Sequence, residues 1–297
     1  MGYQLWTSPL TGYRRKGTRL SEIRNLFEEG ITAKAILEPL KSCPMDADSQ
    51  EMYKRLEKLD FDVAGVKENK ESRVAGFIYK NDLKDSDLVG DAIIDLTPNF
   101  LIGSATPLAE IFEILKTKDF IFVLVGQQVQ GIITRADLNK PPVRIYLFGL
   151  ISLFEMHLTF WIHEEYKTED WKKSLNKNRL KKAKHIQKLR KERNEEVGLL
   201  HCLQLCDKRD LVLQNDAVRK ILNLDDLDTS KNNLEEIEQL RNSLAHSQVD
   251  IANGLEWDQV FKLVPFMENT ISQSDLVVEE EASKSSKQEI IDFWATG

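Results

Sequence analysis

Six residues near the C-terminus, Arg241-Asn242-Ser243-Leu244-Ala245-His246, set a permanent cation, an amide and a titratable imidazole within two turns of a predicted helix. These are the side chains needed to grip a phosphodiester and move protons about it. Arginine pairs bidentately with phosphate oxygens and stays charged as negative charge develops there. Histidine, with an unperturbed pKa of about 6.5, exchanges protons at neutral pH. Asn242 can orient His246 or the phosphate. Leu234, Ile237, Leu240 and Leu244 recur at helical spacing, which places Arg241 at or beside the buried stripe they form. A buried arginine needs a partner. Glu155, isolated in an apolar segment, is one candidate, and Glu235 and Glu238 are others. A bland alternative makes His246 a helix C-terminal cation favoured by the dipole. On a regular helix a five-residue step sets Arg241 and His246 about 140° apart. One copy aims them in different directions, so convergence calls for a two-fold partner.

A basic tract precedes this motif. From Lys172 to Arg193 lysines and arginines crowd the chain against a single acid, Glu192. Too few acids are present for i,i+4 pairing to explain the tract. In a chain of net charge -7 such a concentrated field suits a polyanion. Lys172, Lys173, Lys177, Lys181, Lys184 and Lys188 are the expected RNA contacts. His201, Cys202 and Cys206 lack a fourth residue spaced to complete a zinc site, so no metal is expected.

The elements that must position these groups fall into two halves. Residues 31–140 contain a two-fold repeat: Gly76-Phe77-Ile78-Tyr79-Lys80-Asn81-Asp82-Leu83 matches Gly131-Ile132-Ile133-Thr134-Arg135-Ala136-Asp137-Leu138. Upstream of each lie an amphipathic helix pattern and a short apolar strand, Val63–Val66 and Ile121–Val125. This order predicts two α/β units, 31–90 and 91–140, packed on each other. The repeat resembles a tandem CBS (Bateman) module. In that family adenosine nucleotides sit in the cleft, with a Thr or Ser and an Asp at the end of the second strand on the ribose. The resemblance implies an adenine nucleotide (AMP, ADP or ATP) as regulatory ligand. Thr134 and Asp137 would hold the ribose, Arg135 would reach the phosphates, and the backbone around Ile102 would meet the base. The first repeat keeps Asp82 but has Tyr79 where the hydroxyl is expected, so Tyr79 stacks or blocks there. An ionised Asp accepting from both ribose hydroxyls is sound chemistry.

Pro141-Pro142 then marks a junction. Helical periodicity follows over Ile145–Tyr166, Asp170–Arg193, Glu195–Cys206, Gln214–Leu222, Leu234–His246 and Trp257–Ser272, with Asn223–Asn233 as a polar connection capped at Asp228, Thr229 or Ser230. Residues 142–275, all-helical and carrying Arg-Asn-x-x-x-His, resemble the HEPN superfamily. Its catalytic members are metal-independent endoribonucleases whose dimers bring two motifs into one cleft. The implied roles are catalytic for Arg241, Asn242 and His246, with Glu155 in support, an RNA substrate and a homodimer. The expected architecture is thus an α+β multidomain chain: a lead-in over 1–30, a tandem CBS module, an all-α HEPN-like bundle and an acidic flexible tail over 276–297.

Composition narrows the setting. The chain has 297 residues, 41% hydrophobic and 30% charged, enough for about two domains. Its three cysteines suggest reduced thiols and a cytoplasmic protein. Ile145–Ile162 approaches membrane length, but Glu155 and His157 interrupt it. A charge at mid-bilayer costs roughly 2.5–3.5 kcal/mol, so this segment is expected to be a buried or dimer-facing helix rather than a membrane span. No Walker loop, dinucleotide glycine pattern or nucleophile elbow is present. Two functions stand open: a nucleotide-gated ribonuclease, and a non-catalytic nucleotide-sensing dimerisation protein.

Overall fold

The computed structural model describes residues 30–69, 71–166, 169–195, 197–245, 251 and 255–295, with side chains through 278 and at 280. The lead-in, His246 and the last residues of the tail lie outside them. The chain divides into an α/β unit, Phe27–Val143, and a helical unit from Arg144 onward.

In the α/β unit each repeat is a short strand, a helix and a hairpin. The first has β2 (Ser42–Pro44), α2 (Ser49–Lys58), β3 (Val63–Lys67) and β4 (Val74–Tyr79). The second has β6 (Leu101–Gly103), α3 (Leu108–Leu115), β7 (Phe120–Val125) and β8 (Gln128–Thr134). Each repeat is preceded by a two-residue lead strand, β1 (Glu38–Pro39) or β5 (Ile94–Asp95), and a further turn of helix, α1 (Ala33–Ile36), comes before β1. The helices bury one stripe each, as their spacing predicts: Met52 and Leu56 on α2, and Leu108, Ile111, Phe112 and Leu115 on α3. Asp48 caps α2 by accepting the Glu51 N–H at 2.8 Å. Asp60, in the left-handed region at φ 55, follows its last turn.

The lead strands change the expected picture of two self-contained units. β1 pairs antiparallel with β8 of the second repeat, and β5 pairs antiparallel with β4 of the first. The sheets run β2-β3-β4-β5 and β1-β8-β7-β6. Each therefore takes an edge strand from outside its own repeat. The glycine that opens each matching segment permits this. A Cβ on Gly76 would sit 2.6 Å from the carbonyl oxygen of Ile94, and one on Gly131 would meet the Leu37 side chain at 3.0 Å. Phe77 and Phe122, one from each sheet, have ring centroids 5.1 Å apart, and Phe120 completes a buried aromatic cluster with them.

The helical unit is built on α4 (Pro141–Glu165). Pro141 and Pro142 form its first turn, where a missing N–H matters little, instead of breaking the chain. By length and mean hydropathy, 1.6, α4 could cross a membrane. Here it buries Leu147, Leu150, Phe154, Leu158 and Trp161 as a core helix. The predicted helix over 170–193 is two pieces, α5 (Trp171–Ser174) and α6 (Lys177–Glu192), because Asn176 caps a new start through the Arg179 N–H at 2.9 Å. The predicted helix over 195–206 is a 3-10 turn at Leu199–Cys202 followed by α7 (Leu205–Gln214). There Asp207 accepts the Gln204 N–H and holds the start. α8 (Asp216–Ile221) precedes α9 (Leu227–Ala245). α9 begins inside the expected polar connection, and Asp226 accepts from both the Thr229 N–H and hydroxyl.

α10 (Trp257–Ala295) runs through the stretch expected to be a flexible tail. It is tied to α4 at Ser274, a fully buried residue. The Trp161 indole N–H donates to Ser274 Oγ at 2.7 Å, and that hydroxyl lies 2.7 Å from His157 Nδ1. His157 is thus a core residue. Ser274→Ala would strand the indole N–H in an apolar core. We expect a loss of about 1–3 kcal/mol in urea unfolding, with an unchanged m-value. No measurable loss would show that the relay contributes nothing.

Candidate functional site

A cavity of about 800 Å³ opens in the α/β unit. The end of β8 and the turn after it contribute Thr134, Arg135, Ala136 and Asp137. Leu40, Phe61, Val63, Phe120 and Ile132 give it apolar walls, and Glu38, Asp60, Asp62 and Asp119 lie at its edges. Residues 38–41 are there because β1 crosses onto β8. Sequence reasoning missed this wall, since a two-residue strand carries no periodicity that predicts its partner.

Asp137 is 7% exposed and fully engaged. Its Oδ2 accepts the Thr134 N–H at 2.7 Å and the Thr134 hydroxyl at 3.0 Å. Its Oδ1 lies 2.9 Å from Lys140 Nζ, which also donates to Glu38 Oε1 and the Ile36 carbonyl, each at 2.5 Å. Burial works against the Lys140 charge, but the hydrogen bonds to Glu38 and Asp137 outweigh it and raise the lysine pKa. The repeat comparison could not flag Lys140, because it falls just after the matching segment.

Arg135 lines the cavity but is engaged with the backbone, and Ile102, Tyr79 and Asp82 are not among its lining residues. Arg135 donates from Nε to the Leu115 carbonyl at 3.0 Å and from its second amino group to that of Lys116 at 3.3 Å. It therefore covers the negative end of α3. Ile102 belongs to β6, pairs with Val123 in parallel register and does not line the cavity. In the first repeat Tyr79 lies against Phe77 and Phe120, with ring centroids 5.6 and 5.8 Å away, so its ring extends the aromatic cluster. Asp82 lies in the first turn of the 3-10 segment Lys80–Asp85 after β4, and its carbonyl accepts the Ser86 hydroxyl.

No protein-family model matches this chain, and neither does any curated protein. Solved structures similar to its N-terminal part are CBS pairs. The Arabidopsis thaliana CBS-pair protein CBSX2, in complex with AMP, is 16% identical, with a TM-score of 0.34, covering 39% of this chain and 98% of that one. The CBS domain of a bacterial CNNM/CorC family Mg2+ transporter, in complex with ATP, is 14% identical at a TM-score of 0.33, covering 40% and 92%. An uncharacterised conserved protein from Pyrococcus horikoshii is 19% identical at 0.33, covering 37% and 90%.

In the helical unit Arg241 is exposed instead of lying at the buried stripe, and its guanidinium reaches the Asn242 amide oxygen at 3.3 Å. Asn242 is exposed beside it. The spacing misled because the stripe is narrow: Leu240, Ser243 and Leu244 face inward and leave 241 outside it. The arginine that does serve this helix end is Arg144 of α4. It donates to the Leu244 carbonyl at 2.9 Å and the Ser243 carbonyl at 3.5 Å. None of the proposed acids takes Arg241. Glu155 pairs with Lys208 at 2.7 Å, and Glu235 and Glu238 lie 3.7 and 3.1 Å from Arg209.

The basic tract is less uncompensated than its sequence suggests. Lys172 pairs with Glu169, Lys173 with Asp170, Lys188 with Glu192 and Arg179 with buried Asp207. Most of these acids sit in flanking turns or on α7, beyond a count of the tract itself. Among the described residues Lys177, Lys181 and Lys184 have no acidic partner, and they follow one another along a single face of α6.

A second cavity of about 290 Å³ holds the Glu155–Lys208 pair with Arg190, His201 and Thr159. Lys208 is 5% exposed, so the pair is largely desolvated. No group of three or more His, Cys, Asp or Glu suited to a metal ion occurs among the described residues. Burial pushes the thiols of Cys202 and Cys206 up and takes Cys43 to about 11, so all three are poor nucleophiles.

Burial, and next the Lys208 charge, holds the His201 pKa below the usual imidazole value. The unfolded chain then binds this proton more readily than the fold does. The linked stability is present above about pH 6.5 and is lost as pH falls toward the lowered folded value. We expect His201→Gln to flatten the dependence of the urea midpoint on pH below about 6.5. An unchanged slope would remove His201 as its source.

Proposed function

We propose that the α/β unit is an adenine-nucleotide sensor whose ligand occupies the cavity at Thr134 and Asp137. The observation that carries this reading is the cavity itself. It joins aromatic and aliphatic walls, which suit a planar base, to a buried carboxylate beside a hydroxyl, which suits a ribose diol. Asp137 is held in place by Thr134 before any ligand arrives, so it needs no reorganisation to accept hydroxyl protons. Isothermal titration with AMP, ADP and ATP tests this. Asp137→Asn, which keeps the shape and removes the charge, should weaken binding at least about tenfold. Ala136→Phe, at an exposed lining position, fills the space without removing a polar contact and should do the same. Unaltered binding in both folded variants would refute the site.

For the helical unit we infer a metal-independent endoribonuclease, gated by that sensor and acting as a cytoplasmic homodimer. The specific support is the exposure of Arg241 and Asn242 side by side at the end of α9, together with the unpaired lysines along α6. Arg241 would stabilise the phosphorane charge, Asn242 would orient the phosphate, and His246 would relay the proton of the attacking 2′-hydroxyl. Lys172, Lys173 and Lys188, engaged with neighbouring acids, would join Lys177, Lys181 and Lys184 as a diffuse phosphate contact. The reading predicts RNA fragments with 2′,3′-cyclic ends, formed in EDTA. Arg241→Ala and His246→Ala should each lower the rate at least about a hundredfold with melting temperatures held. The non-catalytic alternative predicts no cleavage by the parent protein and an effect of these variants on stability alone.

A further inference from the structure

We propose that the α/β cavity selects adenosine ligands with little negative charge at the 5′ end, and that Asp60 and Asp119 set this selectivity. The proposal rests on the reading of the cavity as a nucleoside site. Its basis is the charge inventory of the lining. Five carboxylates border the cavity, Glu38, Asp60, Asp62, Asp119 and Asp137, against two permanent cations, Lys41 and Arg135. Ion pairs divide these acids into two kinds. Glu38 and Asp137 are compensated by Lys140, and Asp62 by Lys80 at 3.0 Å. Among the described residues Asp119 has no ion pair, and Asp60 feels only the field of Lys80, whose ammonium is paired with Asp62.

The cations do not redress the balance at the phosphate end. Arg135 faces the carbonyl oxygens at the end of α3, where its charge offsets the helix dipole. Among the described residues that leaves Lys41, an exposed side chain, as the lining cation available to meet a phosphate. No described helix of eight residues or more begins at the lining, and the turn after Thr134 is a short 3-10 segment in which Asp137 accepts the Thr134 N–H. A polyphosphate would thus bring several negative charges beside two unneutralised carboxylates. The repulsion acts at the mouth, where salt screens it. A neutral or cationic 5′ substituent escapes the repulsion, and a divalent cation bound to the phosphates cancels it.

The test is isothermal titration of the full chain with five probes at low ionic strength: adenosine, AMP and ATP in EDTA, ATP with excess Mg2+, and S-adenosylmethionine as the cationic probe. We expect ATP in EDTA to bind at least about tenfold more weakly than adenosine, with S-adenosylmethionine at least as tight as adenosine. Mg2+ and added salt should each narrow the deficit of ATP. Asp60→Asn is tolerated at φ 55, because asparagine also adopts the left-handed region. Combined with Asp119→Asn, it should shrink the ATP-to-adenosine ratio to within about threefold. ATP in EDTA binding as tightly as adenosine would overturn the proposal while leaving the nucleoside site standing. An unchanged ratio in the double variant would also overturn it. Absence of binding by all five probes would overturn both.

Discussion

The α/β unit depends on the close main-chain approach of two short lead strands over Gly76 and Gly131. A Cβ at Gly76 would collide with the Ile94 carbonyl, and one at Gly131 would press on the Leu37 side chain. With hydrogen in that place, β5 lies on β4 and β1 lies on β8. Each sheet then gains an edge strand that its own repeat does not supply. Phe77, Phe120 and Phe122 fill the space between the sheets, an apolar cluster to which both repeats contribute. The same crossing brings Glu38 to Lys41 against the end of β8 and makes the cavity wall.

At that wall the chain solves an electrostatic problem locally. A carboxylate as buried as Asp137 needs hydrogen bonds to its charged form. Thr134 supplies two, and Lys140 adds an ion pair that also ties Glu38 and the Ile36 carbonyl. The arrangement holds a hydrogen-bond acceptor fixed inside an apolar-walled space. It also joins the last turn of the second repeat to the segment that carries β1. Lys140 stands immediately before Pro141, the first residue of α4, so the network ends where the long helix starts.

In the helical unit the organising element is α4. Its apolar length, which alone would suit a membrane, is matched by the inward faces of its neighbours, and several of its polar side chains meet partners there. Glu155 meets Lys208, His157 and Trp161 meet Ser274, and Arg144 meets the carbonyl end of α9. Burial without these partners would cost several kcal/mol per charged group. Arg241, three residues before the carbonyl that Arg144 reaches, is exposed next to Asn242.

The parts of this protein whose signal is local can be read from the order of residues alone. Helical and strand periodicities located α2, α3 and both hairpins. The matched segments around Gly76 and Gly131 announced the repeat, and the inward stripe of α9 was legible from Leu234 to Leu244. Thr134 and Asp137 were singled out by the repeat and its resemblance to a CBS module. Where side chains with long reach are directed is settled by packing. Arg135 turned to α3, Glu155 to Lys208, and several lysines of the basic tract to acids outside it. Charge pairing depends on distance in space, and a lysine or arginine can choose among acids far apart in the chain. The lead-strand exchange was hidden for a related reason. Two residues of strand have no period of their own, and their partner is set by the glycine that leaves room for them.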